Sequence, residues 1–419
     1  MRVVMFGWEF PPYNSGGLGV ACSGLARGLL KEGVEVLFVL PKRVEVSDSS
    51  IRFLFAGLEH ITFKGAHTGL AAYQTSESFE RVRRLAGVEI YGDNLLAEVL
   101  RYASLVEGLL AGESFDLIHA HDWLSFPAGI EAKRISGKPL IVHVHATGFD
   151  LGGGNHVDRR VYAIEKAGMD EADAIIAVSE YTKRIIVERY GISPEKVSVV
   201  YNGIEPEVSA GSQSAGREVG KEGLLPLGLK IPGYRIVLYV GRLTVQKGPD
   251  YFLRAAARVL KENPKTFFIV AGSGDMERQL IRLAAELGIA HRVFFAGFVR
   301  GAELDRLYLA ADLYVLPSVS EPFGITPLES LASGTPVLIS KQSGVSEVIA
   351  NALKVDFWDI DEMANKIVSV LRYAPLRHQL KVAGRSDALK QTWQKAAQIC
   401  VMLYHRVINE VRNTKYEVR

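Results

Sequence analysis

Short apolar runs alternate with longer amphipathic stretches, and this alternation occurs twice along the chain. Residues 2–7, 35–40, 116–120, 140–144 and 174–178 are apolar runs of strand length, and segments such as 95–111 and 181–190 carry helical spacing between them. Continuous apolar runs separated by helices imply βαβ units and a parallel sheet. The rhythm breaks at the turn cluster Tyr201-Asn-Gly-Ile-Glu-Pro206, and the stretch to about residue 233 is rich in Gly, Ser and charge without a clear period. That stretch reads as linker and loop. Apolar runs resume at 236–240, 266–271, 293–296, 313–316 and 336–339. The expected fold class is α/β, with two doubly wound Rossmann-like domains over 1–200 and 201–390 and a deep cleft between them. A chain of 419 residues is too long for one ordinary core, which agrees with two domains. Ligands of such sheets bind beyond the carboxyl ends of the strands, here expected to face the cleft. A long helix is expected over 388–413. It carries Trp393, and residues 391–419 are expected to pack back on the first domain.

Charge argues against one broad class of partner, short of a local basic patch. The 49 basic and 47 acidic residues nearly cancel, so no nucleic-acid polymer is held by net charge. Cys22 and Cys400 are the two cysteines, too few for a disulfide scaffold, and fit a reduced compartment. The N-terminus enters a strand without a basic-then-apolar leader, and no apolar run reaches about 18 residues. A cytoplasmic protein without a transmembrane segment is expected. The oligomeric state is left open.

Residues 321–329, Glu-Pro-Phe-Gly-Ile-Thr-Pro-Leu-Glu, carry the most chemical information. An apolar run ends just before them at Pro317, and a helix-like stretch over 327–333 follows and stops at Gly334. Two carboxylates, Glu321 and Glu329, thus flank a glycine turn from strand to helix. Free backbone N–H groups and the helix dipole make such a turn an anion site. The carboxylates cannot serve an anion and suit hydroxyl groups, as on a sugar and a ribose. Phosphate and polyol at one helix start suggest a nucleotide-sugar.

A second loop in the same half adds cations. The strand ending at Val240 runs into Gly241-Arg-Leu-Thr-Val-Gln-Lys-Gly248, where Arg242 and Lys247 sit between glycines ahead of a helix. They could clamp a diphosphate and stabilise charge on it as it leaves, against the plain alternative of a solvated basic loop. In the first half, the strand at 2–7 leads to Ser15-Gly16-Gly17-Leu18-Gly19 and a helix-like run to Lys31, a turn that lets phosphate or sugar approach the backbone. The spacing is not the dinucleotide pattern, and Gly272-Ser-Gly-Asp-Met lacks its third glycine too. His119-Ala-His-Asp-Trp123 and His145 lie at strand ends. Alternation places His143 and His145 on one face, with His145 further out, and a structural role stays open for His121 and His145. No cysteine pair or second-helix ligand completes a zinc site around them. Asp359-Ile-Asp361 matches a metal-holding Asp-x-Asp string, but Asp361 reads as a helix N-cap, so no metal site is expected.

Together these residues resemble the retaining glycosyltransferases of the GT-B fold, in particular glycogen and starch synthases and the group-1 glycosyltransferases. The likeness covers nearly the whole chain through Gly16-Gly17-Leu18, His119-Ala-His-Asp-Trp123, His145, Asn202-Gly203-Ile204, Gly241-Arg242, Lys247-Gly248 and Glu321 with Glu329. It implies a nucleoside-diphosphate sugar donor, ADP- or UDP-linked, a carbohydrate acceptor, and no required cofactor or metal. By that likeness Arg242 and Lys247 contact the diphosphate, Glu321 holds hydroxyls of the transferred sugar, and Glu329 holds the ribose. The amides of Phe323, Gly324, Ile325 and Thr326 meet sugar and phosphate, Gly16, Gly17 and Leu18 belong to the donor-binding set, and His145 sits beside the sugar. The implied activity is retaining transfer of a hexose, glucose by the glycogen synthase likeness, to an α-1,4-glucan.

Two departures qualify the likeness. Glycogen synthases usually carry a lysine two residues before the double glycine, where this chain has Asn14. The 321–329 segment also mixes features of both families. The alternatives are a group-1 enzyme with another sugar, lipid or small-molecule acceptor, a GT-B epimerase, an α-glucan phosphorylase, or an inactive nucleotide-sugar-binding protein. Phosphorylases are much longer and need a pyridoxal-phosphate lysine with no place here.

Overall fold

The computed structural model describes residues 1–12, 16–45, 50–57, 95–151, 157–205 and 233–417. Asn14 and most of the expected linker, 206–232, lie outside the described residues. The chain divides into two compact units, Met1–Gly203 with Trp393–Arg419, and Ile204–Thr392.

The first unit is built on a seven-stranded sheet whose recorded pairings are all parallel. Its strands are β1 (Arg2–Phe6), β2 (Glu35–Leu40), β3 (Arg52–Phe55), β4 (Leu117–His121), β5 (Leu140–Val144), β6 (Ala174–Ala177) and β7 (Val197–Val199). They lie in the order β3-β2-β1-β4-β5-β6-β7. β1 is apolar on both faces because both faces are covered: Val3, Val4, Met5 and Phe6 are wholly buried. Burial of each such side chain stabilises the unit by about 1.5–3 kcal/mol. Local signals end the helices cleanly. Ser179 accepts from the Thr182 amide at 3.0 Å to start helix Glu180–Tyr190, and Gly191, at φ 66°, ends it.

The second unit repeats the plan with β8 (Arg235–Val240), β9 (Thr266–Ala271), β10 (Val293–Gly297), β11 (Leu313–Leu316), β12 (Val337–Ser340) and β13 (Leu353–Val355). Their order, β10-β9-β8-β11-β12-β13, is again parallel. In each unit the strand order reverses beside the first strand, between β1 and β4 and between β8 and β11. The carboxyl ends of strands at such a reversal leave a crevice where loops can hold a ligand.

Several expectations need correction. The single helix expected over 95–111 is two, Leu95–Ser104 and Val106–Leu110. The long C-terminal helix spans Trp393–Glu417, while Ala388 and Leu389 end the preceding helix, Ala374–Leu389. The break is a tie to Ile204, whose amide donates to Gln391 O at 3.0 Å and which forms a parallel bridge with Thr392. Asp359, not Asp361, caps helix Ile360–Arg372 by accepting from the Glu362 amide at 2.9 Å, and Asp361 pairs with Arg258.

Helix Trp393–Glu417 packs on helix Gly17–Lys31 in the first unit. Gly24 and Gly28 permit the approach: a Cβ on Gly24 would lie 2.2 Å from the Trp393 ring, and one on Gly28 2.6 Å from its carbonyl oxygen. Among the described residues no helix is long and apolar enough to cross a membrane.

Candidate active site

In the second unit, three loops at the carboxyl ends of β8, β9 and β11 pack together. The β8 loop, residues 241–248, closes with a 3₁₀ turn, Val245–Lys247, and Gly248 at φ 64°. A Cβ on Gly248 would meet Pro317 O at 2.2 Å, so only glycine allows this contact with the β11 loop. The Val319 amide donates to Gln246 O at 2.8 Å across the same seam. The β9 loop is fitted in the same way. A Cβ on Gly272 would lie 1.9 Å from Gly241 O, and Leu243 N donates to Ser273 O at 3.0 Å. The glycines of Gly272-Ser-Gly274 therefore serve the close approach of backbones.

This packing joins residues far apart in sequence. Lys247 Nζ lies 2.6 Å from Glu321 Oε2, and Ser318 Oγ donates to the same oxygen at 3.0 Å. Glu321 is fixed at its backbone too: its amide donates to Gln342 O at 3.0 Å, and its carbonyl accepts from Gly344 N at 2.9 Å. Arg242 donates to Gln246 Oε1 at 3.1 Å, and its carbonyl accepts from Tyr239 OH at 3.0 Å. Phe323 is buried, and the turn ends in Gly324 at φ 99°, which begins helix Ile325–Ala332. No side chain caps this helix, so its start offers amide dipole to an anion. The helix begins two residues earlier than the sequence suggests. That brings Ile325 and Thr326 into its first turn, with Thr326 Oγ1 bonded to Tyr314 OH at 2.8 Å.

Glu329 lies on the same helix, where Tyr308 OH donates to its Oε2 at 3.0 Å. Burial pushes the Glu329 carboxyl above its ordinary pKa, the Tyr308 hydrogen bond opposes this, and nearby Asp305 adds to it. Lys247, Arg242, Glu321 and the 323–326 turn are thus gathered by contacting loops, with Glu329 on the helix that the turn begins.

In the first unit, helix Gly17–Lys31 starts at Gly16, again without a side-chain cap. A Cβ on Gly17 would meet nothing within 4 Å, so packing does not demand glycine there. Leu18 is wholly buried. Glu9, itself buried, accepts from the Gly19 amide at 3.2 Å and already takes part of the anion-binding capacity of this helix start.

Beside it, His119 and His121 of β4, His143 of β5 and His145 just after β5 stack in the core. His121 Nδ1 and His145 Nε2 are 3.0 Å apart, His119 Nε2 and His143 Nδ1 are 3.2 Å apart, and His119 Nδ1 meets Tyr404 OH at 2.5 Å. His145 is only 6% exposed, deeper than its sequence position outside the strand suggests. Burial lowers its pKa to about 3, so its imidazole is neutral near pH 7 and works by hydrogen bonding. Asp122 fixes the turn: at φ 58° its Oδ1 accepts from the His145 amide at 2.6 Å, and its own amide donates to His143 O at 2.9 Å. Its backbone occupies a left-handed conformation uncommon outside glycine.

These histidines have the composition of a metal site. One ligand atom each from Cys22, His121 and His145 lie within 4.8 Å of one another, as do those of His119, His121 and His143. Sequence spacing could not show that helix Gly17–Lys31 delivers Cys22 to this place. One ring nitrogen of His121 is paired with one of His145, while His121 Nε2, His143 Nε2 and His145 Nδ1 are buried without a hydrogen-bond partner among the described residues. Burial lowers the pKa of all four imidazoles, so they are neutral near pH 7, and it raises that of the Cys22 thiol. Asp122, Ser318, Tyr308 and Tyr404 are the partners that sequence reasoning did not single out. Asp122 lay within a quoted motif, but nothing in the sequence marks the other three.

Comparison with known proteins adds to this geometry. The family model described as "Glycosyl transferases group 1" matches residues 228–387, and that described as "Glycosyltransferase Family 4" matches residues 15–208. An uncharacterized glycosyltransferase of Methanocaldococcus jannaschii is 32% identical over 96% of this chain and 98% of its own. A glycogen synthase of Mycobacterium tuberculosis is 30% identical over 96% of this chain and 94% of its own. Among solved structures, sucrose-phosphate synthase from Thermosynechococcus elongatus superposes with a TM-score of 0.76 at 20% identity, covering 98% of this chain and 99% of that one. The fold shared with that structure is GT-B.

Proposed function

For a chain that belongs to the group 1 glycosyl transferases, we propose retaining transfer of a hexose from a nucleoside-diphosphate sugar to a carbohydrate hydroxyl, without a bound metal. The observation that carries this reading is the Lys247–Glu321 pair at 2.6 Å beside the uncapped helix start at Gly324. Lys247 and Arg242 offer charge-assisted hydrogen bonds to the diphosphate, and the amides of Phe323, Gly324, Ile325 and Thr326 offer dipoles. Glu321 accepts from hydroxyls of the sugar, and Glu329 from the ribose. From the first unit, His145 offers a neutral hydrogen bond to the sugar, and Gly16, Gly17 and Leu18 offer backbone. The donor's departing phosphate takes the proton of the acceptor hydroxyl as that hydroxyl attacks on the same face. The finer reading is glucose from ADP- or UDP-glucose, passed to an α-1,4-glucan. It is supported by the Gly16-Gly17-Leu18 and His119-Ala-His-Asp-Trp123 strings and by the likeness to a glycogen synthase.

The test is a release-and-transfer assay with ADP-glucose and UDP-glucose, with and without maltooligosaccharide. Lengthened oligosaccharide is the expected result. Nucleotide release that ignores the oligosaccharide would point to a different acceptor or to an epimerase. Binding without release would point to an inactive nucleotide-sugar-binding protein.

A further inference from the structure

The Glu329 carboxylate has one oxygen engaged and one open. Tyr308 OH donates to Oε2 at 3.0 Å, and Oε1 has no hydrogen-bond partner among the described residues. Tyr308 itself cannot wander. It is 1% exposed, its ring meets Tyr314 edge-on at 6.0 Å, and its carbonyl accepts from Thr335 Oγ1 at 2.6 Å. A phenol clamped in this way fixes both the torsion and the free lone pairs of the carboxylate it touches.

We propose that Tyr308 is a positioning residue that sets nucleotide selectivity: by holding Glu329 Oε2 it leaves Oε1 oriented to accept from a ribose hydroxyl of the donor. This rests on the assignment of Glu329 to the ribose made above. A site built around a hydroxyl discriminates strongly against an analogue that lacks it, because the buried acceptor is left unpaired. Tyr308 acts through Glu329 and need not touch the nucleotide. A charge effect accompanies the geometric one. The groups acting on the Glu329 carboxylate are Tyr308 and Asp305, both on helix Ala302–Ala310, and it in turn acts on Tyr314 of β11. Burial and Asp305 favour the protonated acid, and Tyr308 favours the carboxylate. Loss of the phenol therefore moves Glu329 protonation to higher pH.

The experiment titrates UDP, ADP and GDP into the full chain by calorimetry. The tightest binder is then compared with its 2′,3′-dideoxy form in wild type, Tyr308→Phe and Glu329→Ala. Tyr308→Phe keeps the ring packed on Tyr314, and its melting temperature is measured alongside. The wild type should prefer the ribonucleotide. Tyr308→Phe should reduce that preference about 10-fold, the worth of one charge-assisted hydrogen bond. It should raise the donor KM to match while leaving kcat within about 2-fold. The remaining preference should fade at a higher pH than in wild type. Glu329→Ala, which leaves no side-chain partner for the ribose, should remove most of the preference. If Glu329→Ala removes it and Tyr308→Phe does not, the positioning role is overturned and the ribose assignment stands. If Glu329→Ala leaves it intact, the ribose assignment fails and the proposal with it. Equal loss of both nucleotides in Tyr308→Phe would assign the phenol to packing alone and overturn the proposal.

Discussion

Lys247 Nζ and Glu321 Oε2 are 2.6 Å apart, with only 17% and 6% of the two side chains open to solvent. A partly buried pair of this kind is held by strong local attraction but costs desolvation of both groups. In the proposed reaction it is also a placeholder. The ammonium has three donors, so it can keep Glu321 and still meet a diphosphate oxygen. The carboxylate, however, repels the diphosphate.

That repulsion can be measured. Glu321→Ala should bind free nucleoside diphosphate more tightly, by about 5-fold, if the charge acts with on the order of 1 kcal/mol at this partly screened site. The same change should reduce transfer by about 10²–10³, because the sugar loses its acceptor of hydroxyl protons. Glu321→Gln keeps shape and some hydrogen bonding and should retain measurable turnover. Weaker nucleotide binding in the alanine variant would contradict the placeholder role.

Removal of the cation tests the other side of the pair. Lys247→Ala should lower kcat by about 10²–10³, the usual loss when one preorganised donor to a developing charge is deleted. Turnover near the wild-type rate would show that Lys247 does not stabilise the leaving diphosphate.

Metal dependence is expected to be absent. Asp359 is committed to the Glu362 amide and Asp361 to Arg258, so the Asp-x-Asp string is spoken for. Transfer should therefore survive exhaustive EDTA treatment. Loss with EDTA and rescue by Mn²⁺ or Mg²⁺ would place the enzyme in a metal-assisted mechanism.

Product stereochemistry tests the same-face route. NMR should find the α configuration of the donor kept in the product. Glu321 Oε2 is engaged by both Lys247 and Ser318, an arrangement suited to holding hydroxyls rather than attacking carbon. A covalent glycosyl-enzyme trapped on Glu321, or a β-linked product, would reverse this assignment. Because burial lowers the His145 pKa to about 3, rate profiles between pH 5 and 8 should show no limb that disappears in His145→Asn.

Continuous apolar runs made most of the two sheets legible in the sequence, because a parallel strand buried on both faces leaves no polar interruption. β3, β7 and β13 were not singled out. The latter two have three residues each, and the first is a four-residue edge strand with no fully buried side chain. Position accounts for much of what was read at the site. A glycine turn after an apolar run marks a helix start whether or not its neighbours are known. What could not be read are contacts made by backbone approach. The meeting of Lys247 with Glu321 depends on Gly248 lying against Pro317, and that of His121 with His145 depends on the register of β4 against β5. Tyr308 meets Glu329 through the packing of two helices, for which a tyrosine in an amphipathic run gives no signal.

The helix Trp393–Glu417 gives the chain an order of assembly. It completes the first unit, yet the ribosome makes it after all of residues 204–392. The second unit is contiguous and can close as soon as Thr392 has emerged. Until Trp393 arrives, Gly24 and Gly28 of helix Gly17–Lys31 remain an uncovered groove. Domains generally fold as units during synthesis, and exposed apolar surface is where nascent chains are captured by chaperones or by one another. Nascent chains stalled just after Thr392 has cleared the ribosome should resist protease over 235–389 and be cut within 17–31. Equal protection of both segments would mean that the first unit closes without its last helix. The half of the protein synthesised first is then the half that finishes folding last.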